Sequence, residues 1–234
     1  MKLVVENLSK NYGKKVVLQN INFTFEEGKI YGLIGRNGVG KTTFFNALNE
    51  DIDITSGNIK LIDNNYNNKL SSSDIGYVIS TPIVPEFLTA KEFLKFFIEI
   101  NKDDIKEIKD LDYYFDLVKI DKDDQDKLLK EYSHGMKNKM QILINFISNS
   151  KVLLLDEPLT SLDIVVQDDM KKLLKQMKKK HIIIFSTHIL EIAMDLCDEI
   201  VILNNGKLEL IEKKNLNTKN YKDKIIKALR DVQW

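Results

Sequence analysis

The fold of this chain is decided by one glycine-rich stretch, Gly35-Arg36-Asn37-Gly38-Val39-Gly40-Lys41-Thr42-Thr43. It matches the pattern G-x-x-x-x-G-K-[ST], whose backbone N–H groups surround phosphate oxygens at the start of a helix. Residues 29–34 before it have the apolar character of a strand, and residues 43–48 after it continue as a helix. Strand, loop and helix in this order predict a phosphate-binding loop. The alternative is a glycine-rich turn that only joins a strand to a helix.

The residue types in this loop suit phosphate chemistry. Gly35, Gly38 and Gly40 allow backbone φ values that a side chain would forbid, so the loop N–H groups can turn inward. Lys41 is expected to reach the β- and γ-phosphates of a nucleotide, and the Thr42 hydroxyl to ligate Mg²⁺. All nine residues of the stretch are therefore candidate nucleotide-binding residues.

Composition limits the classes of function. The 234 residues suit one large domain, or a domain with an inserted subdomain. The chain has 35 lysine and arginine residues and 35 aspartate and glutamate residues. Because these charges balance, no overall electrostatic field favours a nucleic-acid partner. Cys197 is the single cysteine, which fits a reducing cytoplasm and predicts a small buried thiol.

The apolar runs are short. Those at residues 152–155 and 182–185 fall far below the ~18 residues of a membrane span, and the first residues turn polar too early for a signal peptide. We therefore expect a chain that does not cross a bilayer and acts on a membrane only through a partner.

The apolar pattern predicts an α/β core with a helical insert. Residues 2–25 have the pattern of strands and turns, and residues 64–73 that of a polar surface loop. From residue 89 the apolar period is helical to about residue 147. We expect one domain over residues 1–234: residues 1–85 and 151–234 form the core, and about 86–150 a helical subdomain. Asn205-Gly206 predicts a hairpin and residues 225–232 a final helix.

An aromatic stripe in the helical insert has two interpretations. It consists of Phe93, Phe96 and Phe97, which fall at helical spacing together with Ile100. The favoured interpretation is the core of the helical subdomain, because apolar helical spacing is mainly a burial signal. The other is a groove, extended by Phe87 and Leu88, that receives a cytoplasmic helix from a membrane subunit.

A second constellation follows the aliphatic run at residues 152–155. Asp156 ends this run, where a carboxylate can meet Mg²⁺, and Glu157 can orient and polarise an attacking water. His188, just beyond the next predicted strand, is placed to contact a γ-phosphate. An Asp-Glu pair after a strand, taken alone, also fits a charged turn. The phosphate loop and helical insert that precede it make the pair a specific signal for a nucleotide site.

A further anion site is predicted where a helix begins upstream of Asp156. In the segment Tyr132-Ser133-His134-Gly135-Met136, Ser133 is a natural N-cap. The positive end of that helix would favour an anion.

With these motifs in this order, the chain resembles the ATP-binding subunit of ABC transporters. The resemblance covers nearly all of the chain. Tyr12 stands at the position of the aromatic residue that stacks on adenine. Residues 35–43 match the Walker A loop, and Ser133, His134 and Gly135 lie in the signature motif.

The remaining motifs of this resemblance follow downstream. Asp156 and Glu157 match the Walker B aspartate and the catalytic glutamate. Residues 161–163 match the D-loop, with Asp163, and His188 matches the switch histidine. The resemblance thus implies Glu157, Asp163 and His188 as catalytic residues.

The resemblance implies an α/β fold: a P-loop NTPase ABC ATPase core with an N-terminal antiparallel β-subdomain and an inserted helical subdomain. It implies ATP and Mg²⁺ as cofactors. It implies a second ATPase subunit, identical or related, in a head-to-tail dimer. Each ATP would lie between the Walker A loop of one subunit and the signature helix of the other subunit. It also implies an integral membrane transporter subunit as partner, and a cytoplasmic location at the inner face of the cell membrane.

Two departures from the family pattern stand out. The common signature Leu-Ser-Gly-Gly-Gln is replaced by residues 132–136, a variant that resembles the bacterial export branch with sodium, bacitracin and lantibiotic-immunity transporters. Where the family has a Gln or Glu that contacts Mg²⁺ and the attacking water, this chain has Ser80, shorter and uncharged. We expect metal contacts from Thr42, Asp156 and Ser80, and slower or differently coupled hydrolysis.

We therefore expect an ATPase that powers an export system through ATP-driven dimerisation. One alternative is an ATP-binding regulatory subunit with weak hydrolysis, which Ser80 favours and the presence of Glu157 and His188 disfavours. A GTPase or a small-molecule kinase on the same phosphate loop is another alternative, and a kinase has no need of Ser133 or Asp163. An ABC ATPase of translation or DNA repair usually has a second cassette or a long coiled coil, for which this chain has no room.

Overall fold

The computed structural model describes residues 1–63, 66–160 and 162–211, apart from the side chains of residues 66–69 and 72. The strands are β1 (Lys2–Tyr12), β2 (Lys15–Glu26), β3 (Ile30–Ile34), β4 (Ser56–Asp63), β5 (Tyr66–Lys69), β6 (Ile75–Val78), β7 (Val152–Asp156), β8 (Ile182–Thr187), β9 (Glu199–Asn204) and β10 (Lys207–Ile211). The helices are α1 (Lys41–Leu48), α2 (Ala90–Ile100), α3 (Leu111–Val118), α4 (Lys122–Gln125), α5 (His134–Ile147), α6 (Ile164–Met177) and α7 (Leu190–Leu196). The predicted final helix at residues 225–232 lies outside the described residues.

Within residues 1–63, 66–160 and 162–211, a six-stranded sheet in the order β10-β9-β3-β8-β7-β6 forms the centre of the fold. Its strands are parallel except β10, which pairs antiparallel with β9. In β3, Ile30 and Ile34 face a core shared with α5, α6 and α7, whereas Tyr31 and Leu33 face a core shared with α1. Because both faces of the sheet are covered, its central strands have no need of polar residues, which explains the unbroken apolar runs.

The carboxyl ends of the neighbouring strands β3, β8 and β7 meet at one edge of this sheet. Ile34 leads into the phosphate loop, Asp156 ends β7, and Thr187 ends β8 directly before His188. In the register of β7 and β8, Asp156 lies opposite Ser186. The topology therefore brings the phosphate loop and the group of Asp156, Glu157 and His188 to the same edge of the sheet. This is the edge at which α/β proteins commonly bind ligands.

A second, antiparallel sheet has the order β2-β1-β4-β5 and shares a core with α1. The Phe25 ring of β2 lies 6.3 Å from the Phe44 ring of α1, between centroids. The prediction of a loop over residues 64–73 is wrong in part, since β5 pairs with β4. Polar residues are compatible with β5 because it is an edge strand, where backbone pairing matters more than burial of side chains.

Strand β4 approaches β1 closely at Gly57. This residue has φ of +103°, and a Cβ there would lie 2.6 Å from both Asn7 O and Leu8 Cα. The pairing register of β1 with β4 shifts between Glu6 and Ser9 at the same place. Only glycine fits this backbone conformation and this distance without strain.

The aromatic stripe of α2 is buried on one side only. Phe93 is buried, as predicted for a core position. Phe96 and Ile100 are exposed, so the core interpretation is wrong for Phe96, whereas Phe97 is partly buried and packs against the core. The buried face of α2 instead runs through Ala90 and Leu94, beside the predicted stripe. The neighbouring helices of the core cover this face of α2.

Three local predictions are confirmed. Ser133 caps α5, since its Oγ accepts a hydrogen bond from Met136 N–H at 3.2 Å. Asn205 and Gly206, both with positive φ, form the turn of the β9–β10 hairpin. Cys197 is buried. Among the described residues, no helix has the length and apolar character needed to cross a membrane.

Candidate nucleotide-binding site

A cleft of about 710 Å³ opens at the edge where β3, β7 and β8 end. Its lining includes these predicted site residues: Tyr12, Asn37, Gly38, Gly40, Lys41, Thr42, Thr43, Ser80, Asp156, Glu157 and His188. These residues come from the β1–β2 turn, the phosphate loop and the ends of β6, β7 and β8. Segments far apart in the chain therefore meet at one site.

The phosphate loop requires glycine where the sequence has it. Gly40 has φ of +115°, and a Cβ there would lie 2.8 Å from Val17 Cγ1. A Cβ at Gly35 would lie 3.0 Å from Leu203 O, which is a backbone atom. The loop thus fits tightly against β2 and β9 and directs the N-terminus of α1 into the cleft, where its N–H groups favour an anion.

Lys41 lies between the phosphate loop and the acidic strand end. Its side chain is buried, and Nζ donates to Gly35 O at 2.8 Å and to Arg36 O at 3.3 Å. Nζ also lies 3.4 Å from Glu157 Oε1. These acceptors compensate the burial of the ammonium group and place its positive charge beside the Glu157 carboxylate.

Asp156 is buried and holds two hydroxyl groups. Thr42 Oγ1 donates to Asp156 Oδ2 at 2.8 Å, and Ser186 Oγ donates to Oδ1 at 2.6 Å. A carboxylate and a threonine hydroxyl are the hard oxygen ligands that Mg²⁺ prefers. No group of three or more His, Cys, Asp or Glu with metal-binding geometry occurs in the part of the chain that the structure describes. The donor set therefore fits a Mg²⁺ held by a few protein oxygens together with phosphates.

Glu157 is held at both carboxylate oxygens. Oε2 accepts from Thr160 Oγ1 at 2.8 Å and lies 2.7 Å from His188 Nδ1, while Oε1 faces Lys41. Its backbone has φ of +53°, a left-handed conformation that is costly for this residue type. Its N–H donates to Ser186 Oγ at 3.0 Å. Strain at a residue with this many partners is typical of a functional position.

Two residues of the site were missed by the sequence reasoning. Ser186 bridges Asp156 and Glu157, and Thr160 binds the Glu157 carboxylate. The signal for Ser186 was its place near the end of the strand that precedes His188. The signal for Thr160 was its hydroxyl three residues after Glu157, within reach of a tight turn.

Several predicted site residues lie away from the cleft of their own chain. Ser133 and His134 are exposed at the start of α5. Asp163 caps α6, accepting at Oδ1 from two backbone N–H groups at 3.0 Å. Gly135 packs against α6, where a Cβ would lie 3.2 Å from Val166 Cγ1. The structure therefore does not bring the signature segment together with the phosphate loop of the same chain.

Three phosphate-loop residues are also not part of the cleft lining. Gly35 is buried beneath the loop, and the Val39 side chain packs into the core shared with α1. Arg36 is exposed beside the loop. Any phosphate contact from these three would come from the backbone or, for Arg36, from a change of side-chain direction.

Burial shifts the pKa of Tyr77, beside the site, and of Lys139, which lines a separate pocket with Lys119. The Tyr77 hydroxyl donates to Asn46 Oδ1 at 3.1 Å, and burial, followed by the charge of Asp156, raises the pKa of Tyr77. Burial lowers the pKa of Lys139 on α5, whose Nζ donates to Lys119 O at 3.2 Å. Tyr77 therefore remains a neutral hydrogen-bond donor at physiological pH and ties α1 to β6.

Known proteins are similar to this chain over most of its length. An uncharacterized ABC transporter ATP-binding protein of Methanocaldococcus jannaschii is 36% identical over 208 residues, which are 88% of this chain and 75% of that protein. The lantibiotic transport ATP-binding protein SrtF of Streptococcus pyogenes is 31% identical over 222 residues, which are 94% of each chain.

The fold also matches solved structures. One described as the ATP-binding subunit of an ABC transporter superposes with a TM-score of 0.80 at 24% identity, covering 99% of this chain and 100% of that one, which shows a shared fold. Residues 18–160 match the family described as ABC transporter. The chain belongs to the family of ABC transporter ATP-binding proteins.

Proposed function

We propose that this chain is the ATP-hydrolysing subunit of an exporter and powers a separate membrane-spanning subunit through ATP-driven head-to-tail dimerisation. The observation that carries the proposal is the convergence of Lys41, Thr42, Asp156, Glu157 and His188 on one cleft. Membership of the family and the similarity to a lantibiotic transport protein support the same conclusion.

ATP and Mg²⁺ fit the residues of this cleft. The loop N–H groups and Lys41 bind the β- and γ-phosphates, while Thr42 and Asp156 hold Mg²⁺ through their oxygens. Bound Mg²⁺ supplies neutralisation of the phosphate charge. Tyr12 is exposed at the cleft, with Lys10 Nζ 4.7 Å from its ring centre on one face, which leaves the other face for adenine.

Hydrolysis then depends on position and charge. Glu157 accepts a hydrogen bond from the attacking water and orients it toward the γ-phosphate. His188 contacts the γ-phosphate from the end of β8. No covalent intermediate with the protein is needed, because catalysis of phosphoryl transfer is mainly positioning and electrostatic stabilisation.

A second ATPase subunit completes the site in this proposal. Ser133 and His134 project from the start of α5 and Asp163 from the start of α6, outside the cleft lining of their own chain. They are available to the nucleotide of a neighbouring subunit, which is an identical copy or a related chain. Ser161, in the same predicted D-loop, lies outside the described residues.

An apolar surface supports a membrane subunit as partner. Phe87 and Ile83 are 78% and 72% exposed, and Phe96 and Ile100 of α2 are 57% and 61% exposed. Ile83 and Phe87 follow Ser80, which lines the cleft, so a helix docked on these two side chains would contact the segment that reaches the nucleotide. We propose that the chain works in the cytoplasm, at the inner face of the cell membrane, without a nucleic-acid partner.

The first test is the metal dependence of ATP turnover. We expect the purified chain to release phosphate from ATP in Mg²⁺. Chelation with EDTA should lower the rate by about 100-fold or more, because metal stabilisation of phosphate charge is worth several kcal/mol. Equal turnover with and without Mg²⁺, or hydrolysis of GTP in preference to ATP, would contradict the proposal.

A regulatory subunit with weak hydrolysis is the second candidate function. Ser80 lines the cleft, and its side chain is shorter than the glutamine expected at this position and has no amide group. We expect Ser80→Gln to raise turnover about fivefold, the worth of one net hydrogen bond of about 1 kcal/mol. Ser80→Ala is the matched control, and it should not raise the rate. If Ser80→Gln leaves both the turnover and the stimulation by a membrane partner unchanged, position 80 does not limit hydrolysis.

A further inference from the structure

We propose that Thr160 is a positioning residue that fixes which carboxylate oxygen of Glu157 accepts the hydrogen bond of the attacking water, an inference that rests on the proposed ATP hydrolysis. The Thr160 hydroxyl donates to Glu157 Oε2 at 2.8 Å and lines the same cleft. Thr160 itself acts through Glu157 and needs no contact with the nucleotide.

Thr160 is joined to Glu157 by the backbone as well. Thr160 N–H donates to Glu157 O at 3.2 Å, which closes residues 157–160 into a turn. Pro158 at the second position suits such a turn because its φ is already restricted. Leu159 at the third position is fully buried. The turn returns the hydroxyl of Thr160 to the carboxylate that begins it.

Two helices hold this turn from outside. Asn138 Nδ2 on α5 donates to Pro158 O at 3.2 Å, and Gln167 Nε2 on α6 donates to Leu159 O at 3.2 Å. Asn138 is completely buried, so its bond to the turn is shielded from competing water. These two hydrogen bonds hold the carbonyl groups of Pro158 and Leu159, the second and third residues of the turn. They restrict the orientation of the turn and so fix the position of Thr160 relative to Glu157.

The two oxygens of Glu157 are therefore not equivalent. Oε2 interacts with Thr160 and His188, whereas Oε1 faces Lys41 Nζ at 3.4 Å. In the proposed reaction Lys41 and His188 contact phosphates, which releases Oε1 but leaves Thr160 on Oε2. Oε1 then has both of its lone pairs available to the water, whereas Thr160 still occupies one lone pair of Oε2. Without the Thr160 hydroxyl, the carboxylate can rotate and offer either oxygen at a wrong angle.

The test compares Thr160→Val, which keeps the shape but removes the donor, with Thr160→Ser, which keeps the donor. Steady-state ATP turnover of the purified full chain in Mg²⁺ should show kcat about tenfold lower for Thr160→Val, since a hydrogen bond to a charged group is lost. KM should change less than about twofold, because phosphate binding is untouched. Thr160→Ser should stay within about threefold of wild-type kcat. Thr24→Val, on the exposed side of β2, is the matched control.

Several results would overturn this inference. Wild-type kcat in Thr160→Val, or a Thr160→Ser as slow as Thr160→Val, would show that the hydroxyl does not position Glu157. If Thr160→Val does not fold, as judged by its thermal unfolding, Thr160→Ala removes the same donor without placing a second methyl group beside the carboxylate and must show the same loss. A wild-type chain without turnover would overturn the proposed function itself, and this inference with it.

Discussion

Replacing Glu157 by glutamine is expected to lower ATP turnover by about 10²–10⁴-fold, the usual contribution of a positioned acid–base group. The amide has nearly the same size and still accepts one hydrogen bond from Thr160, so the turn at residues 157–160 is retained. It lacks the charge that orients and polarises the water. Turnover is measured as phosphate release at saturating ATP.

ATP binding by this variant should be nearly unchanged, because the phosphate loop and the Thr42–Asp156 contact remain. We expect Glu157→Gln to accumulate as an ATP-bound dimer in Mg²⁺, which size-exclusion chromatography detects. Glu107→Gln, the same chemical change on the exposed surface, is the control and should behave as wild type. Wild-type turnover in Glu157→Gln would show that another group activates the water.

Replacing Gly57 by alanine should destabilise the whole fold by about 2–5 kcal/mol. A positive φ costs an alanine about 1–2 kcal/mol, and overpacking adds about 1–3 kcal/mol. Here the added Cβ would lie 2.6 Å from backbone atoms of Asn7 and Leu8, in strand β1. Backbone cannot move aside as a side chain can, because β1 is bonded to strands on both of its sides. The loss is a large fraction of the stability of an ordinary domain.

Gly28→Ala is the matched control for this prediction. Gly28 also has a positive φ, at +83°, but a Cβ there meets nothing within 4 Å. Its cost should therefore be about 1 kcal/mol, from the backbone conformation alone. Urea unfolding followed by circular dichroism measures both free energies of unfolding. Equal losses in the two variants would show that the close approach of β4 to β1 has no energetic consequence.

The short-range features of this protein were predictable from its residues. The phosphate loop, the Ser133 cap and the Asn205-Gly206 turn each depend on a few consecutive residues whose backbone preferences are strong. Resemblance to the family then supplied the fold and the order of the motifs. These features share a physical basis, since interactions within one turn of chain need no knowledge of distant segments.

Other expectations failed where distant segments decide the outcome. Residues 66–69 form a strand because the edge of β4 is available to pair with them, which no local signal shows. Phe96 is exposed because the neighbouring helices cover a different side of α2. Helical spacing shows that a stripe exists but not which part of it another helix will cover.

By itself the sequence determined the loop that can bind phosphate, the carboxylates beside it and the family of the chain. Only the tertiary structure decided that Thr42, Ser186 and Thr160 bind these carboxylates, and that the signature segment lies outside the cleft of its own chain. The reason is physical. Local preferences are set by neighbouring residues, whereas contacts between strand ends depend on the order and register of strands in the sheet.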